Sequence, residues 1–220
     1  MPDTAVYYSI INALPPHVTL VAVSKTKSVS DIMAVYACGQ RTFGENKVQE
    51  LTEKYEQLPK DIAWHLIGHL QTNKVKYIAP FVALIHAVDS LKLLQEINKQ
   101  ALKNNRTINC LLQIYIAKEE TKFGLYQEEA ENLIFSPTMS ELTHIKICGL
   151  MGMATNTNDT SVITQEFKQL KDFFDLIRCR KLPANCDFTI LSMGMSGDYQ
   201  TAITCGSNMI RIGSSIFGGR

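Results

Sequence analysis

The chain of 220 residues reads as an α/β protein, a single (β/α)8 TIM-type barrel domain spanning residues 1–220. Three observations predict that class. Short apolar runs, many of them β-branched, alternate with longer amphipathic segments from end to end, as strands and crossover helices of a parallel sheet do. The runs number about eight, and eight such units close naturally into a barrel, although an open doubly wound sheet satisfies the same alternation. Nearly every distinctive polar or glycine residue falls at or just after the carboxyl end of a run, where barrels of this kind carry their chemistry.

The predicted strands cover 18–24, 41–44, 62–67, 81–88, 109–116, 145–150, 188–191 and 208–212. Between them, residues 29–38 place Val29, Ile32, Met33, Tyr36 and Ala37 at helical spacing. Residues 90–103, capped by Asp89 or Ser90, carry Leu91, Leu94, Ile97 and Ala101 on one face. Residues 159–180 repeat the pattern with Val162, Ile163, Phe167, Leu170, Phe173, Phe174 and Ile177. Gln71-Thr72-Asn73-Lys74 reads as the capped start of another helix. No Pro/Ser-rich linker or charge block divides the chain.

Composition excludes several classes. Apolar residues make up 45% and charged residues 20%, and the formal net charge is +1. That balance offers no electrostatic footing for nucleic acid or an anionic membrane. No apolar stretch reaches the roughly 18 residues of a membrane span, and the N-terminus is a poor signal peptide. The six cysteines form no C-x-x-C pair, and His144 with Cys148 lacks a second ligand pair, so no metal site is expected. Core thiols in a reducing compartment, and a cytoplasmic location, follow.

The strand-end residues then carry the argument. Lys25 closes the first run, and a lysine with its stem among apolar neighbours can lose its proton and attack a carbonyl. The loops Gly194-Met195-Ser196-Gly197-Asp198 and Arg211-Ile212-Gly213-Ser214-Ser215 offer backbone N–H groups and hydroxyls suited to phosphate. A strand-end lysine and a phosphate corner on one face suggest pyridoxal 5′-phosphate. Arg211, always charged, would disfavour protonation of a pyridine nitrogen beside it.

The segments VAVSKTKS, FGENKVQE, WHLIGHLQTNK, GLMGMA, LSMGMSGD and RIGSSIFGGR together resemble the pyridoxal phosphate homeostasis family (the YggS/PROSC group). That family is related to the N-terminal barrel of alanine racemase, and the blocks cover residues 18–220 in the family's order. The resemblance implies an alanine racemase N-terminal-domain-like barrel in which Lys25 forms the internal aldimine. It places Ser196, Gly213 and Ser214 at the cofactor phosphate, Arg211 at the pyridine nitrogen, and Asn46 and Met151 on the pocket wall. It implies binding, storage or delivery of the cofactor in vitamin B6 homeostasis, a monomer, no established turnover, and PLP-dependent apo-enzymes as partners.

Departures from the family are few. Lys47 replaces the usual tyrosine of FGENYVQE and is expected to point into solvent, Leu66 is a mild core swap, and the leading helix is expected to be cut short. The competing reading is a PLP-dependent amino-acid racemase of low activity. Lys25 supplies one base for it, but the chain offers no evident second base and no extra β domain after the eighth barrel unit. A barrel acting on a sugar phosphate leaves the matching blocks unexplained. Among smaller candidates, Lys27 is weighed as a second cofactor acceptor or a solvated lysine, and His69 as an anion contact or a plain loop histidine. His65 is expected to be a hydrogen-bonded barrel residue, and Glu45 either to orient the lysine or to pair with a strand-end neighbour. Methionines 151, 153, 193 and 195 are expected to wall a flat ring or to fill the core.

Overall fold

The computed structural model describes residues 2–119 and 123–219; Arg220, the last residue of the RIGSSIFGGR segment, lies outside them. Eight parallel strands, β1 (Thr19–Val23), β2 (Thr42–Glu45), β3 (Ala63–Leu66), β4 (Leu84–Val88), β5 (Ile108–Ile114), β6 (Ile145–Gly152), β7 (Cys186–Ser192) and β8 (Met209–Ile212), close in chain order. The barrel is therefore closed, and the open doubly wound alternative falls. Closure is made by β1 against β8, with Val21 opposite Arg211 and Ala22 opposite Ile212.

Among the described residues ten α-helices surround it: α1 (Thr4–Ala13), α2 (Val29–Ala37), α3 (Val48–Gln57), α4 (Val75–Ile78), α5 (Leu91–Lys103), α6 (Gln127–Ile134), α7 (Pro137–Glu141), α8 (Thr160–Arg178), α9 (Tyr199–Thr204) and α10 (Ser214–Phe217). Side chains that accept orphan N–H groups set the starts of several. Asp3 caps α1, Ser28 with Asp31 forms a capping box on α2, and Asp159 caps α8. Ser90 rather than Asp89 caps α5, accepting from the Leu93 N–H. The leading helix runs ten residues and buries Tyr7 and Ile10. At 71–74 the expected side-chain cap is absent; a 3-10 turn, Thr72–Lys74, leads into α4. Strand β4 starts at Leu84, not Phe81, because the chain turns between Ala79 and Val82 and Arg106 donates to both of those carbonyls.

Strand alternation divides the apolar residues between two cores. On β1, Leu20 and Ala22 face the helices and Val21 faces the barrel interior. The outer core holds Phe43, Trp64, Phe167 and Phe188, and the Phe174 and Phe188 rings lie 5.8 Å apart between α8 and β7. The interior holds Val21, Leu84, Ala87, Leu111, Cys148, Met151 and Met209. One irregularity matters for the site. The β4–β5 register shifts between Ile85 and Val88, so β4 gains a residue where it carries His86. Such a bulge re-aims side chains within a strand.

Phe167 is fully buried between α8 and the barrel, whereas Leu176 on the same helix is 55% exposed. Truncating Phe167→Ala removes packed area and leaves a cavity, and should cost about 3–5 kcal/mol in a urea denaturation series. Leu176→Ala should stay within about 0.5 kcal/mol of the parent.

Candidate functional site

Because all eight strands are parallel, their carboxyl ends open on one face, and a cavity of about 530 Å³ lies there. Lys25, Asn46, Ser196, Arg211, Gly213 and Ser214 all line it. Met151 does not. It is fully buried in the barrel interior, and Met153, two residues on, reaches the cavity together with Met195. The methionines thus divide, since Met193 belongs to the outer core. Lys47 is exposed and is not part of the cavity wall.

Lys25 is partly buried one residue after Ser24, and among the described residues its ammonium has no hydrogen-bonding partner. Its neighbours are held firmly. Lys54, buried on α3, donates to the Ser24 carbonyl, to Glu45 Oε1 and to Glu50 Oε1, each at 2.7 Å. Ser24 Oγ also donates to Glu45 Oε1 at 2.6 Å, and the Thr26 N–H donates to Glu50 Oε1 at 2.5 Å. Thr26 adopts φ +65°, a left-handed backbone that a β-branched residue rarely takes. Both residues flanking Lys25 are therefore pinned by one buried charge cluster, which over-determines a strained turn. Glu45 pairs with a strand-end neighbour, Ser24, as well as with the helix. Burial holds its carboxyl above the usual range, outweighing the pull of Lys54.

The opposite corner is built for close approach. A Cβ on Gly213 would meet the Val23 carbonyl oxygen at 2.9 Å, so β8 can turn toward β1 there only without a side chain. The Gly213 N–H contacts Ser196 Oγ at 3.4 Å, and Asp198 accepts from the Met195 N–H at 2.6 Å, holding the preceding loop. Gly68 packs on Asn46 in the same way, since a Cβ would sit 2.4 Å from the Asn46 oxygen.

Arg211 is buried, and its remaining hydrogen bonds point into the barrel. Its Nη1 donates to Ser192 O at 2.9 Å and Ser192 Oγ at 2.7 Å, and its Nη2 to Gly152 O at 3.1 Å. Burial lowers its pKa to about 10, with Asp198 opposing, so it stays cationic at neutral pH. Beneath it lie His86 and His65, the latter a hydrogen-bonded barrel residue as its strand position predicts.

Lys27 also lines the cavity, and it is not a solvated lysine. Its ammonium donates to the carbonyls of Phe217, Gly218 and Gly219 at 2.9–3.0 Å, tying the chain's last turn to the cavity wall. His69 stands at the mouth, 3.2 Å from Asp89 and stacked on Phe123 at 4.4 Å. The cavity residues missed from sequence are chiefly Gln113, Phe123 and the Gly218-Gly219 pair. Gln113 carried a signal, a polar residue in the apolar run of β5; the glycines lie in the RIGSSIFGGR segment, which carries the resemblance without assigning them a role. Among the described residues, no group of acids, histidines and cysteines could hold a metal.

Cations with no lining carboxylate among the described residues, apolar walls and a glycine–serine corner at one barrel mouth define a receptor for an anionic, ring-bearing molecule that a lysine can engage. The alanine racemase N-terminal domain family matches residues 7–220. Pyridoxal phosphate homeostasis proteins of Synechocystis sp. and Helicobacter pylori are 39% and 42% identical over 218 and 204 residues. Those matches take in 98% and 91% of this chain and 98% and 87% of the relatives. PipY of Synechococcus elongatus superposes with a TM-score of 0.90 in its structure without PLP and 0.87 with PLP bound. The two are 34% and 33% identical, and each covers 97% of this chain and 99% of PipY. An alanine racemase of Clostridium difficile gives 0.78 at 14% identity, over 99% of this chain and 56% of the racemase, a likeness of fold. The chain belongs to the alanine racemase N-terminal domain family, among its pyridoxal phosphate homeostasis proteins.

Two predictions follow from the buried charges. Lys54→Met strands Glu45 and Glu50 without their cation and should cost about 3 kcal/mol in chemical denaturation. His65 is neutral in the fold because burial lowers its pKa from 6.5 to about 4, and His86 moves the same way. The unfolded chain takes up those protons first, so stability is full above pH 6.5 and falls as pH drops toward 4. From His65 alone, urea denaturation should show a loss of about 2 kcal/mol between pH 7 and pH 5.

Proposed function

We propose that this protein binds pyridoxal 5′-phosphate in the barrel-mouth cavity and serves as a store or donor of it rather than as a catalyst of turnover. One observation carries the reading: Lys25 shares its cavity with Arg211 and the Ser196–Gly213–Ser214 corner, and no carboxylate lines that cavity among the described residues. Such a donor set fits a phosphate and an aldehyde on one flat ring. Bound there, the cofactor supplies an aldehyde that amines condense with and a ring that can accept electron density.

The residues of the chain supply the rest. Ser196 and Ser214 would offer hydroxyls, and Gly213 and Ser214 backbone N–H groups, to the phosphate. Val23, Ile67, Met153 and Met195 would pack on the ring and keep water from it. Asn46 would contact the ring's edge, and Met151 would support the floor through the barrel interior. Arg211, cationic and fixed, would face the ring nitrogen and discourage a proton there, which weakens the ring for amino-acid chemistry. The charge cluster around Ser24 and Thr26 would keep Lys25 Nζ aimed at the aldehyde.

A monomer in the cytoplasm that hands its cargo to PLP-dependent apo-enzymes completes the proposal. The naming of the relatives supports the homeostasis role. Six free cysteines support a reducing compartment. No described helix is long and apolar enough to cross a membrane.

The test is uptake of pyridoxal phosphate by wild type and Lys25→Ala. Wild type should gain a visible absorption band that borohydride discharges, and peptide mapping should find the reduced label on Lys25. Lys25→Ala should gain no such band. An unlabelled wild type, or a label on another lysine, sinks the proposal. Rapid interconversion of L- and D-alanine by the loaded protein would replace the storage role with a racemase.

A further inference from the structure

Four polar side chains stand in a bonded row inside the barrel: Arg211 from β8, Ser192 from β7, His86 from β4 and His65 from β3. Ser192 Oγ lies 2.7 Å from Arg211 Nη1 and 3.1 Å from His86 Nδ1. His86 Nε2 lies 3.0 Å from His65 Nδ1. Arg211 alone among the four lines the cavity. Ser192 and His86 are fully buried, and His65 and Arg211 nearly so.

The protons in this row are tied together. Arg211 can only donate, so Ser192 Oγ accepts from it. Burial keeps both imidazoles neutral, each therefore with one N–H. If Ser192 donates to His86 Nδ1, then His86 Nε2–H must donate to His65 Nδ1. If the sense is reversed, His65 Nδ1–H donates to His86 Nε2, and His86 Nδ1–H to Ser192. Only the first sense also uses the Ser192 hydrogen within the row, and either holds the Ser192 oxygen as an acceptor for the guanidinium. A barrel interior is filled more simply with aliphatic side chains, and buried polar groups are tolerated only when fully bonded. The bulge in β4 at 85–88 spends a regular ladder on presenting His86.

Resting on the cofactor reading above, we propose that His65, His86 and Ser192 are positioning residues for Arg211. They brace its guanidinium from the far side so that its charge stays on the cofactor's ring nitrogen and keeps that nitrogen unprotonated. None of the three touches the cavity. Their effect reaches it only through Arg211, which sets the electronic state of the bound ring without contributing to its capture at Lys25.

The experiment uses the full chain loaded with pyridoxal phosphate carrying 15N in the ring, whose resonance separates protonated from unprotonated pyridine. Wild type should give the unprotonated resonance at pH 7. Ser192→Ala and His86→Leu should still take up the cofactor at Lys25, with the resonance moved toward the protonated position. His86→Gln, whose amide can still bond to Ser192, should restore part of the wild-type shift. A folded Ser192→Ala or His86→Leu protein that takes up the label and keeps the wild-type resonance overturns the proposal, and the row is then core structure only. A second measurement needs no cofactor: NMR of the unliganded protein, following rotation of the Arg211 guanidinium. Rotation should quicken measurably in His86→Leu. An unchanged rate overturns the brace. Failure of wild type to take up the label, with guanidinium rotation still quickened in His86→Leu, leaves the brace standing and removes the cofactor reading.

Discussion

The β1–β8 pairing is the constraint on which the site depends. It closes the barrel and sets Val21 against Arg211, so the chain's first strand and last strand share one register. Lys25 leaves the top of β1 four residues above that pair, and Gly213 leaves β8 beside Val23. Residues nearly 190 positions apart in sequence thereby meet across one cavity. The fit tolerates no side chain at 213, because a Cβ there would meet the Val23 carbonyl oxygen. A slip of one residue in this register would send Arg211 to the helix side and an apolar neighbour into the interior. Closure therefore determines the chemistry as much as the shape.

Around that closure the protein buries charge twice, and with different consequences. The Glu45–Lys54–Glu50 cluster braces backbone, gripping Ser24 and Thr26 on either side of Lys25. Breaking it exposes unpaired charge, so its cost appears as lost stability. The Arg211 row braces a side chain, and its two imidazoles stay neutral at the expense of stability in acid. Among the described residues Lys25 itself is left unpartnered between these two braced regions, while Lys27, two residues on, donates to the carbonyls of 217–219. The contrast distinguishes two lysines that the sequence sets side by side. One is presented to the cavity, and the other fastens its wall.

The architecture was largely legible because it rests on short-range pattern. Period-two alternation separates Val21 from Leu20 and Ala22 without knowledge of the partners, and the glycine–serine segments announce strand ends. Lys25 and Arg211 were legible for the same reason, as charged residues at the ends or in the midst of apolar strands. The resemblance puts Met151 on the pocket wall, whereas the cavity lining takes Met153 and leaves Met151 in the barrel interior. The strand in fact runs to Gly152, so the first methionine on the inward face is floor and the second is wall.

What escaped the sequence are interactions whose second partner lies far along the chain. Lys54 sits in VQELTEKYEQ, where a lysine ordinarily lies on the solvated face of an amphipathic helix. Its spacing from Leu51 places it on the buried face, and Glu45, Glu50 and the Ser24 carbonyl make that burial tolerable. Likewise His86 interrupts the apolar run Leu84-Ile85-His86-Ala87-Val88, a visible anomaly whose meaning depends on His65 and Ser192 from two other strands. A polar residue inside a strand that should be wholly apolar signals that something must satisfy it, yet not what. The barrel answers by bringing the polar interruptions of β3, β4, β7 and β8 to adjoining positions. Each would be costly alone, and together they form a bonded row that ends at the cavity.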